Sequence, residues 1–467
     1  MVDTVQRPAV TSLPLAPKNP LPYRQRLEAA RDLAAGPEML RDAGGQVTRN
    51  ILGPKWLLPP FVVVTSPQGA RDVLGRKDAD ADRGPLSLLV ELRRVVGGNL
   101  LNLPHDEWLP RKRALQPLFT KQHVVRFAGE MTQAAEQVCA RWSDGDEVDL
   151  SAEAHTLTLR ALGRSVLGLD LDERAEAVGP MIRTAFKWAA DRALRPIRAP
   201  RWLPTPGRRR ALEASAALHQ LAAEILRACR TDPTTNAPLV HALLAATDSQ
   251  TGRGLSDSEM CDELASFMVG GHDTIATVLT YALWALGNHR DLQDRVFAEV
   301  NDIPGPLTSD AVGGLTLTVQ VLHEAMRLCP PGPSIPRLVM HDIEVDGYRV
   351  QAGTYAVVGA YAMHRDPTLW DDPLTFDPDR FSPQRSKDRE RWQYLPFGGG
   401  QRSCIAGHFG MLEATLALAT IVAAVEIDSR NSDFPIVTPF TLIPDGPIPA
   451  RIRRRSRHSS AAVTAAD

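Results

Sequence analysis

Apolar residues recur at helical spacing through one long stretch of the chain, from about Asp257 to Asn288. Ser256, followed three residues later by Glu259, forms a capping-box pattern at its start. The repeat predicts a helix with one face in the core, and its apolar positions are Leu264, Phe267, Met268, Ile275, Val278, Leu279, Ala282, Leu283 and Leu286. Such a helix is roughly 45 Å long, enough to cross a whole domain.

Strand patterns are few and short. Residues 61–64 form one apolar run, and residues 354–358 form another candidate strand. Residues 343–350 alternate apolar and polar positions around Asp346-Gly347, which predicts a hairpin. The whole pattern predicts a mainly α fold with a small β-sheet region.

Composition adds limits to this picture. The 467 residues are 43% hydrophobic and 23% charged, which is typical of a globular protein with a large core. We expect a disordered Pro-rich head at residues 1–22, a single domain at residues 23–453, and a disordered tail, basic and then Ser/Ala-rich, at residues 454–467. The net charge of −2 gives no indication of a nucleic-acid partner.

Cysteine usage and hydropathy predict a cytoplasmic protein. Five cysteines occur without any C-x-x-C pair, which argues against a disulfide framework or a structural zinc site. The head lacks the apolar core of a signal peptide. The longest apolar run, residues 414–425, is shorter than the ~20 residues that span a bilayer, so we expect a buried helix there and no transmembrane anchor.

A glycine-rich segment with one cysteine, residues 397–407, carries the first candidate chemistry. The glycine loop and the N-terminus of the next helix favour a thiolate, although a lone cysteine is more often a buried structural residue. Phe397, Gly400, Arg402 and Cys404 together resemble the haem loop F-x-x-G-x-R-x-C-x-G of the cytochrome P-450 family. Ala406 replaces the last glycine of that pattern.

Two further motifs resemble the same family. Glu324 and Arg327 share one helix face, and alone they would be an ordinary surface pair. The resemblance implies that they form a structural triad with Arg380 of a Pro-containing segment.

The segment Gly270-Gly271-His272-Asp273-Thr274 resembles the oxygen-activation motif [AG]-G-x-[DE]-T of that family. Mid-helix Thr274 can bond the carbonyl four residues back and bend the helix. Two interior glycines cost about 0.5–1 kcal/mol each, which close approach of a flat ligand would offset. The resemblance implies that Asp273 and Thr274 are catalytic and relay protons. His272, at the variable position, is interpreted as a satisfied polar side chain and not as an iron ligand.

The resemblance implies that the cofactor is haem b with Cys404 as axial ligand of the iron. Haem propionates need cationic or N–H partners. Lys112 stands where the family pattern W-x-x-x-R has arginine, and Arg113 is the alternative. The implied cofactor-binding residues are Trp108, Lys112, Gly270, Arg337, Phe397, Arg402 and Cys404.

The motifs follow the family's order over nearly the whole chain, so the resemblance implies a monomeric monooxygenase with the cytochrome P-450 fold. One atom of O2 would enter a C–H bond, with electrons from NAD(P)H through a separate ferredoxin and its reductase. A basic surface would attract an acidic ferredoxin. Its candidate residues are Arg111, Lys112, Arg113, Lys121, Arg126 and Arg402.

A small apolar substrate, a fatty acid or a terpenoid, is the expected one. Residues 201–206 are a candidate lid. Core packing explains each candidate pocket residue equally well, and these residues are Leu100, Leu101, Phe186, Phe267, Ile335 and Phe440.

Three alternative functions remain compatible with the sequence. The first is a peroxide-using haem-thiolate enzyme or a dehydratase, against which Asp273-Thr274 argues because such enzymes need no proton relay. The second is a haem-based binding or sensor protein without turnover. The third is a helical protein without haem.

Overall fold

The computed structural model describes residues 9–76, 80–83, 87–168, 175–193, 199–200 and 202–455. Helices dominate it, which confirms the predicted fold class. In chain order the helices are α1 (Tyr23–Ala29), α2 (Ala35–Gly44), α3 (Pro67–Leu74), α4 (Ser87–Val96), α5 (His105–Leu115), α6 (Lys121–Val124), α7 (Ala128–Ala140), α8 (Leu150–Leu162), α9 (Ala175–Ala193), α10 (Pro206–Thr231), α11 (Pro238–Ala245), α12 (Asp257–Asn288), α13 (Arg290–Asn301), α14 (Thr316–Leu328), α15 (Ala360–Met363), α16 (Pro383–Ser386) and α17 (Gly407–Ala424).

The strands are short. They are β1 (Val47–Asn50), β2 (Phe61–Val64), β3 (Ala81–Asp82), β4 (Glu147–Asp149), β5 (Ile335–Val339), β6 (Ile343–Val345), β7 (Tyr348–Val350), β8 (Tyr355–Val358), β9 (Val425–Ser429), β10 (Ile436–Val437), β11 (Ile443–Pro444) and β12 (Pro449–Arg454). One sheet has the order β1-β2-β8-β5-β3 and another the order β4-β12-β9.

The long helix α12 begins and ends where the pattern predicts. The Ser256 side chain accepts from the Glu259 amide, and the Glu259 side chain accepts from the Ser256 amide, so the capping box is formed. The buried hydrophobic residues of α12 before position 269 belong to one hydrophobic cluster, and those after position 274 belong to a second. The motif at residues 270–274 therefore lies where the two cores meet.

The predicted hairpin is β6–β7, with Val345 opposite Tyr348. Asp346 and Gly347 both have positive φ, 49° and 79°, as a two-residue turn of this type requires. The candidate strand near residue 355 does not extend this hairpin. It is β8, which runs parallel to β2 and antiparallel to β5, because its apolar side chains pack in the larger sheet.

The prediction of a disordered head is wrong for residues 9–22. Pro14 accepts a backbone hydrogen bond from Arg349, and Asn19 donates one to Arg49, so this segment lies along the edges of two strands. Ala16 is buried in the core behind them. Residues 1–8 and 456–467 lie outside the described part of the chain, and Arg454 still belongs to β12.

Helix α17 is long and apolar enough by composition to cross a bilayer, and 72% of it is buried inside the protein. It packs against α7, α12, α13 and α14. Both features are those of a core helix, which is what the short apolar run predicts.

Candidate active site

The glycine-rich loop before α17 closes on its own backbone. The Cys404 amide donates a hydrogen bond of 2.9 Å to the Phe397 carbonyl. Gly400 has a φ of +70°, and a Cβ there would lie 1.7 Å from the Leu74 carbonyl oxygen. Any other residue at position 400 would therefore be strained and would displace the end of α3.

Alanine at position 406 is compatible with this loop. Ala406 has a φ of −92°, a value that any L-residue adopts, so its Cβ causes no backbone strain. Helix α17 begins at the next residue, Gly407. The departure from the family pattern at this position leaves the loop geometry intact.

The Cys404 side chain is accessible to solvent, although protein surrounds it densely enough for burial to be the main influence on its pKa. Both observations hold if the sulfur lines an internal space. Burial raises the pKa of the thiol, and the Ala406 amide and the charge of Arg83 oppose this without reversing it. The amide favours the thiolate as expected, but burial outweighs it. A cation bound at the sulfur would remove the proton.

The two glycines of α12 face different surroundings. A Cβ on Gly270 would meet no atom within 4 Å, and Gly270 is exposed although α12 is largely buried. A Cβ on Gly271 would lie 3.0 Å from Leu162 Cδ1 of α8. Only Gly270 therefore leaves room for a flat ligand. Gly271 allows close packing of α8 on α12, which corrects the interpretation that both glycines serve a ligand.

Thr274 bonds the helix backbone as its position predicts. Its Oγ1 donates to the Gly270 carbonyl oxygen at 2.6 Å. The hydroxyl is therefore held on the side of α12 where Gly270 leaves open space.

Asp273 lies in a cluster of cationic and imidazole groups. Its Oδ1 is 3.4 Å from His155 Nε2, 3.7 Å from His272 Nε2 and 3.9 Å from Arg183 Nη1. Burial would raise the pKa of Asp273, but His155, His272 and Arg183 together hold it below its ordinary value. The carboxyl is therefore ionised at neutral pH.

His272 is buried against α8. Burial, with a smaller effect of His155, lowers its pKa to about 4. Its Nδ1 lies 3.4 Å from Thr158 Oγ1, so it has a polar neighbour as predicted. The expectation misses that its Nε2 belongs to the Asp273 cluster.

Two predicted cofactor-binding cations converge on one tryptophan. Arg402 Cζ lies 4.0 Å and Lys112 Nζ lies 5.0 Å from the centre of the buried Trp108 ring. Lys112 also donates to the Gln401 carbonyl at 2.5 Å, and Arg402 pairs with Asp82 at 3.0 Å. Arg337, the third cation of the set, is buried in β5.

The alternative Arg113 lies in a different contact. Its guanidinium makes two hydrogen bonds to Asp248, of 2.5 and 3.0 Å, and this bidentate pair turns it away from Trp108. Lys112 is thus the cation that the structure brings to Trp108.

Arg111 does not belong to a basic surface either. It is buried, and it pairs with Glu259 at 2.7 Å and with Glu263 at 3.1 Å. Glu263 also accepts from the Leu100 amide. Burial, opposed by Arg111, raises the pKa of Glu263 to about 7. The contacts of Arg111 therefore correct its assignment to the basic surface. Arg402 is buried and does not belong to that surface either.

The structural triad assembles as the resemblance implies. Arg327 binds both oxygens of Glu324 at 2.7 Å, and Arg380 Nε binds Glu324 Oε1 at 3.0 Å. The three side chains are at most 5% exposed. Arg327 also donates to the carbonyls of His364 and Pro373, so the triad ties α14 to the segment that precedes the loop.

The candidate pocket residues fall into separate groups. Phe186 and Phe440 stack edge to face with ring centres 4.8 Å apart. Phe267 packs on Phe119 of the core, at 5.3 Å. Ile335 lies near Gly398 of the loop. Leu100 is buried and Leu101 is half-buried, both beside α5 in the first core cluster.

The candidate lid begins at Arg201, which lies outside the described residues. Trp202 is 78% exposed and Thr205 caps α10, and the lid role stays a prediction.

Sequence reasoning missed several residues of the site. His155, Arg183, Asp82 and Glu263 acquire their roles through partners far away in the chain. No spacing rule joins positions 155 and 273. Glu263 had one available signal, a carboxylate at a buried position of an apolar helix face.

The chemistry of these residues fits haem. Cys404 offers a solvent-accessible thiol within dense protein surroundings, and Gly270 leaves a surface of α12 free. Lys112, Arg337 and Arg402 supply positive charge of the kind that propionates need.

Comparison with known proteins agrees with this fit. The family model described as Cytochrome P-450 matches residues 36–448. Cyclooctatin synthase of Streptomyces melanosporofaciens is 31% identical over 384 residues, which are 81% of this chain and 82% of that protein. Cyclooctat-9-en-7-ol 5-monooxygenase of the same organism is 31% identical, covering 71% of this chain and 73% of that protein.

Pentalenene oxygenase of Streptomyces avermitilis is 30% identical over 336 residues, 71% of this chain and 74% of that protein. Among solved structures, the heme domain of cytochrome P450DA has the same fold. It aligns with a TM-score of 0.83 at 22% identity, over 96% of this chain and 99% of that one.

Proposed function

The chain belongs to the cytochrome P-450 family and is a monooxygenase, and on that premise we propose that it hydroxylates a cyclic apolar compound of the terpenoid class. The observation that carries the substrate class is the likeness to relatives named for pentalenene and for cyclooctat-9-en-7-ol. Each of them resembles this chain over about 70% of its length.

The aromatic pair Phe186–Phe440 supports an apolar substrate. Phe186 comes from α9 and Phe440 from the loop before β11, so two distant segments meet at this pair. Aromatic faces bind hydrocarbon rings by dispersion and burial. Between the two predicted substrate classes, the named substrates of the relatives favour a terpenoid.

The cofactor is haem, which supplies reductive activation of O2, one oxygen atom entering a C–H bond and the other leaving as water. Cys404 would hold the iron through its sulfur. Lys112, Arg337 and Arg402 would neutralise the propionates, while Trp108 orients Lys112 and Arg402 through cation–π contacts.

We assign proton delivery to Asp273 and Thr274. Asp273 is ionised, and its neighbours His155 and Arg183 are 20% and 46% exposed, so they connect the carboxylate with solvent. Thr274 uses its proton in the bond to the Gly270 carbonyl and keeps its lone pairs for an incoming donor. The carboxylate would take up protons on the solvent side, and the hydroxyl would position a proton donor at the open side of α12.

The proposed function is tested with purified holoenzyme, a bacterial ferredoxin, its reductase and NADPH. Cyclic terpene hydrocarbons should shift the haem absorption band on binding and yield hydroxylated product, whereas fatty acids should do neither. Asp273→Asn should bind the same terpene with the same spectral shift but form product about a hundredfold more slowly, the loss expected for a general acid. Mass spectrometry identifies the hydroxylated product, and its rate of formation is compared with the rate of NADPH consumption.

Other outcomes identify the alternatives. Spectral shifts with fatty acids alone would refute the substrate class. Product formed with peroxide and equally fast in Asp273→Asn would favour the peroxide-using enzyme. Tight terpene binding without NADPH-coupled product would favour the sensor.

We propose that an acidic ferredoxin docks on the surface formed by Lys121 and Arg126, in the cytoplasm. Both side chains are exposed, and α6 packs directly on α17, the helix that follows Cys404. The surface is smaller than the sequence predicts, because Arg111 and Arg402 are paired inside the protein and Arg113 is paired with Asp248.

Charge reversal at this surface should slow reduction. In Lys121→Glu/Arg126→Glu, the rate of reduction by ferredoxin at low salt should fall at least about tenfold and lose most of its dependence on ionic strength. Stopped-flow absorption measures it. Lys187→Glu on α9, which reverses another exposed charge, should behave as the wild type. An unchanged salt dependence in the double variant would exclude this docking surface.

A further inference from the structure

Three potential metal-ligand atoms meet between α8 and α12. One ring nitrogen of His155, one ring nitrogen of His272 and one carboxylate oxygen of Asp273 all lie within 4.8 Å of one another. His155 Nε2 lies 3.4 Å and His272 Nε2 lies 3.7 Å from Asp273 Oδ1. Ligands of a tetrahedral zinc ion with bonds of about 2.0–2.1 Å are about 3.3–3.4 Å apart. We propose that His155, His272 and Asp273 bind one divalent cation of the zinc type, distinct from the haem iron.

Hydrogen bonds orient the His155 ring for this role. Its Nδ1 lies 2.7 Å from the Ser151 carbonyl oxygen, which can only accept. The Nδ1 therefore carries the proton, and Nε2 keeps its lone pair toward Asp273. Histidine ligands of metals are held in this way, by a hydrogen bond from the second ring nitrogen to a carbonyl.

Thr158 orients the His272 ring. Its hydroxyl donates to a backbone carbonyl, that of His155 at 3.2 Å or that of His272 at 3.3 Å. The same oxygen lies 3.4 Å from His272 Nδ1, so it can accept from an N–H there. His272 Nε2 is then the nitrogen with the lone pair, as at His155.

Asp273 supplies the negative ligand. Its Oδ1 is buried and makes no hydrogen bond within the described part of the chain, since the contact to His155 is long. A buried carboxylate oxygen without a donor is destabilising, and a cation would satisfy it. A Cβ at Gly179 would lie 3.1 Å from His272 Nε2, so the glycine leaves that nitrogen accessible.

Arg183 competes with the cation. Its Nη1 lies 3.9 Å from the same Asp273 oxygen, and like charges repel. The side chain is 46% exposed, so it can turn into solvent when the cation binds. Removal of this charge should therefore strengthen binding. Three protein ligands leave a fourth, solvent-facing position for water.

Zinc titration of the tag-free, chelator-treated holoenzyme tests the site. Calorimetry should give one ion per chain, and zinc K-edge X-ray absorption, which the haem iron does not disturb, should give nitrogen and oxygen ligands only. His155→Gln should weaken binding by more than tenfold, Thr158→Val by about tenfold, and Arg183→Gln should tighten it. His341→Gln, which changes an exposed histidine outside the cluster, is the matched control.

The result that overturns the site is no stoichiometric binding, or binding by His155→Gln equal to that of the wild type. An intact haem spectrum in each variant shows that the fold is retained. A consequence rests on the proposed function, because a cation on Asp273 would block proton delivery. Zinc should then slow hydroxylation in the wild type and not in His155→Gln. Failure of hydroxylation altogether would leave the binding measurement unaffected, so the two proposals fail separately.

Discussion

Replacement of Cys404 by serine is expected to abolish the thiolate haem spectrum and to lower product formation by more than about a thousandfold, roughly 4 kcal/mol in the barrier. A serine hydroxyl keeps its proton at neutral pH and cannot donate electron density to the iron as a thiolate does. The loop itself should persist, since neither the hydrogen bond from the Cys404 amide to the Phe397 carbonyl nor the glycine at position 400 involves the sulfur. Absorption of the reduced, carbon monoxide-bound protein measures the ligand, and circular dichroism measures the helices.

Cys261→Ser is the matched control. Cys261 lies on α12 and is half-buried, so the substitution changes the same atom without a large cavity. Its thiolate spectrum and activity should equal those of the wild type. A thiolate spectrum in Cys404→Ser would mean that another cysteine binds the iron. The assignment of the active site to the Cys404 loop would then be wrong.

Local patterns predicted the elements that local interactions determine. The bounds of α12 follow from the capping box at Ser256 and from the apolar repeat, both of which lie within the helix. The hairpin β6–β7 follows from Asp346-Gly347, because few other residues accept positive φ at both turn positions. The grouping of Glu324, Arg327 and Arg380 came from the family resemblance, and it is present in the structure.

Partner choice over long sequence distances could not be predicted. Arg111, Lys112 and Arg113 are consecutive and all basic, yet one pairs with Glu263, one reaches Trp108 and one binds Asp248. Only the helical rotation of α5, together with the positions of neighbouring elements, separates them. A run of charges therefore predicts a surface only after its tertiary partners are known.

The same limit applies to the glycines of α12. Both cost the helix stability, and the sequence offers no way to tell which packs on Leu162 and which leaves open space. It also gives no sign that His155 lies beside Asp273, because the two residues are more than a hundred positions apart in the sequence. The proposed metal site could therefore be found only in three dimensions.

Replacement of Glu324 by glutamine is expected to destabilise the protein by about 3–5 kcal/mol, because two buried guanidinium groups lose their only carboxylate in the triad. Glutamine has nearly the same volume, so the loss reflects charge and not a cavity. Arg327 and Arg380 would keep their backbone carbonyls, which accept hydrogen bonds but do not neutralise them. Since a stability of 5–15 kcal/mol is typical, we expect a lower yield of holoprotein and a lower urea midpoint.

The matched control is a solvent-exposed pair at the same segment. Arg295 and Asp379 form two hydrogen bonds of 3.2 and 2.8 Å, but both side chains are about half exposed. Asp379→Asn should therefore cost less than about 1 kcal/mol. Urea unfolding, followed by haem absorption and by circular dichroism together, compares the variants, because loss of the cofactor and loss of the fold need not coincide. If Glu324→Gln were no more sensitive to urea than Asp379→Asn, the buried triad would not stabilise the fold around the loop. The conservative variant Arg380→Lys should have a urea midpoint between those of Glu324→Gln and Asp379→Asn. A lysine keeps the positive charge but lacks the planar guanidinium that meets Glu324.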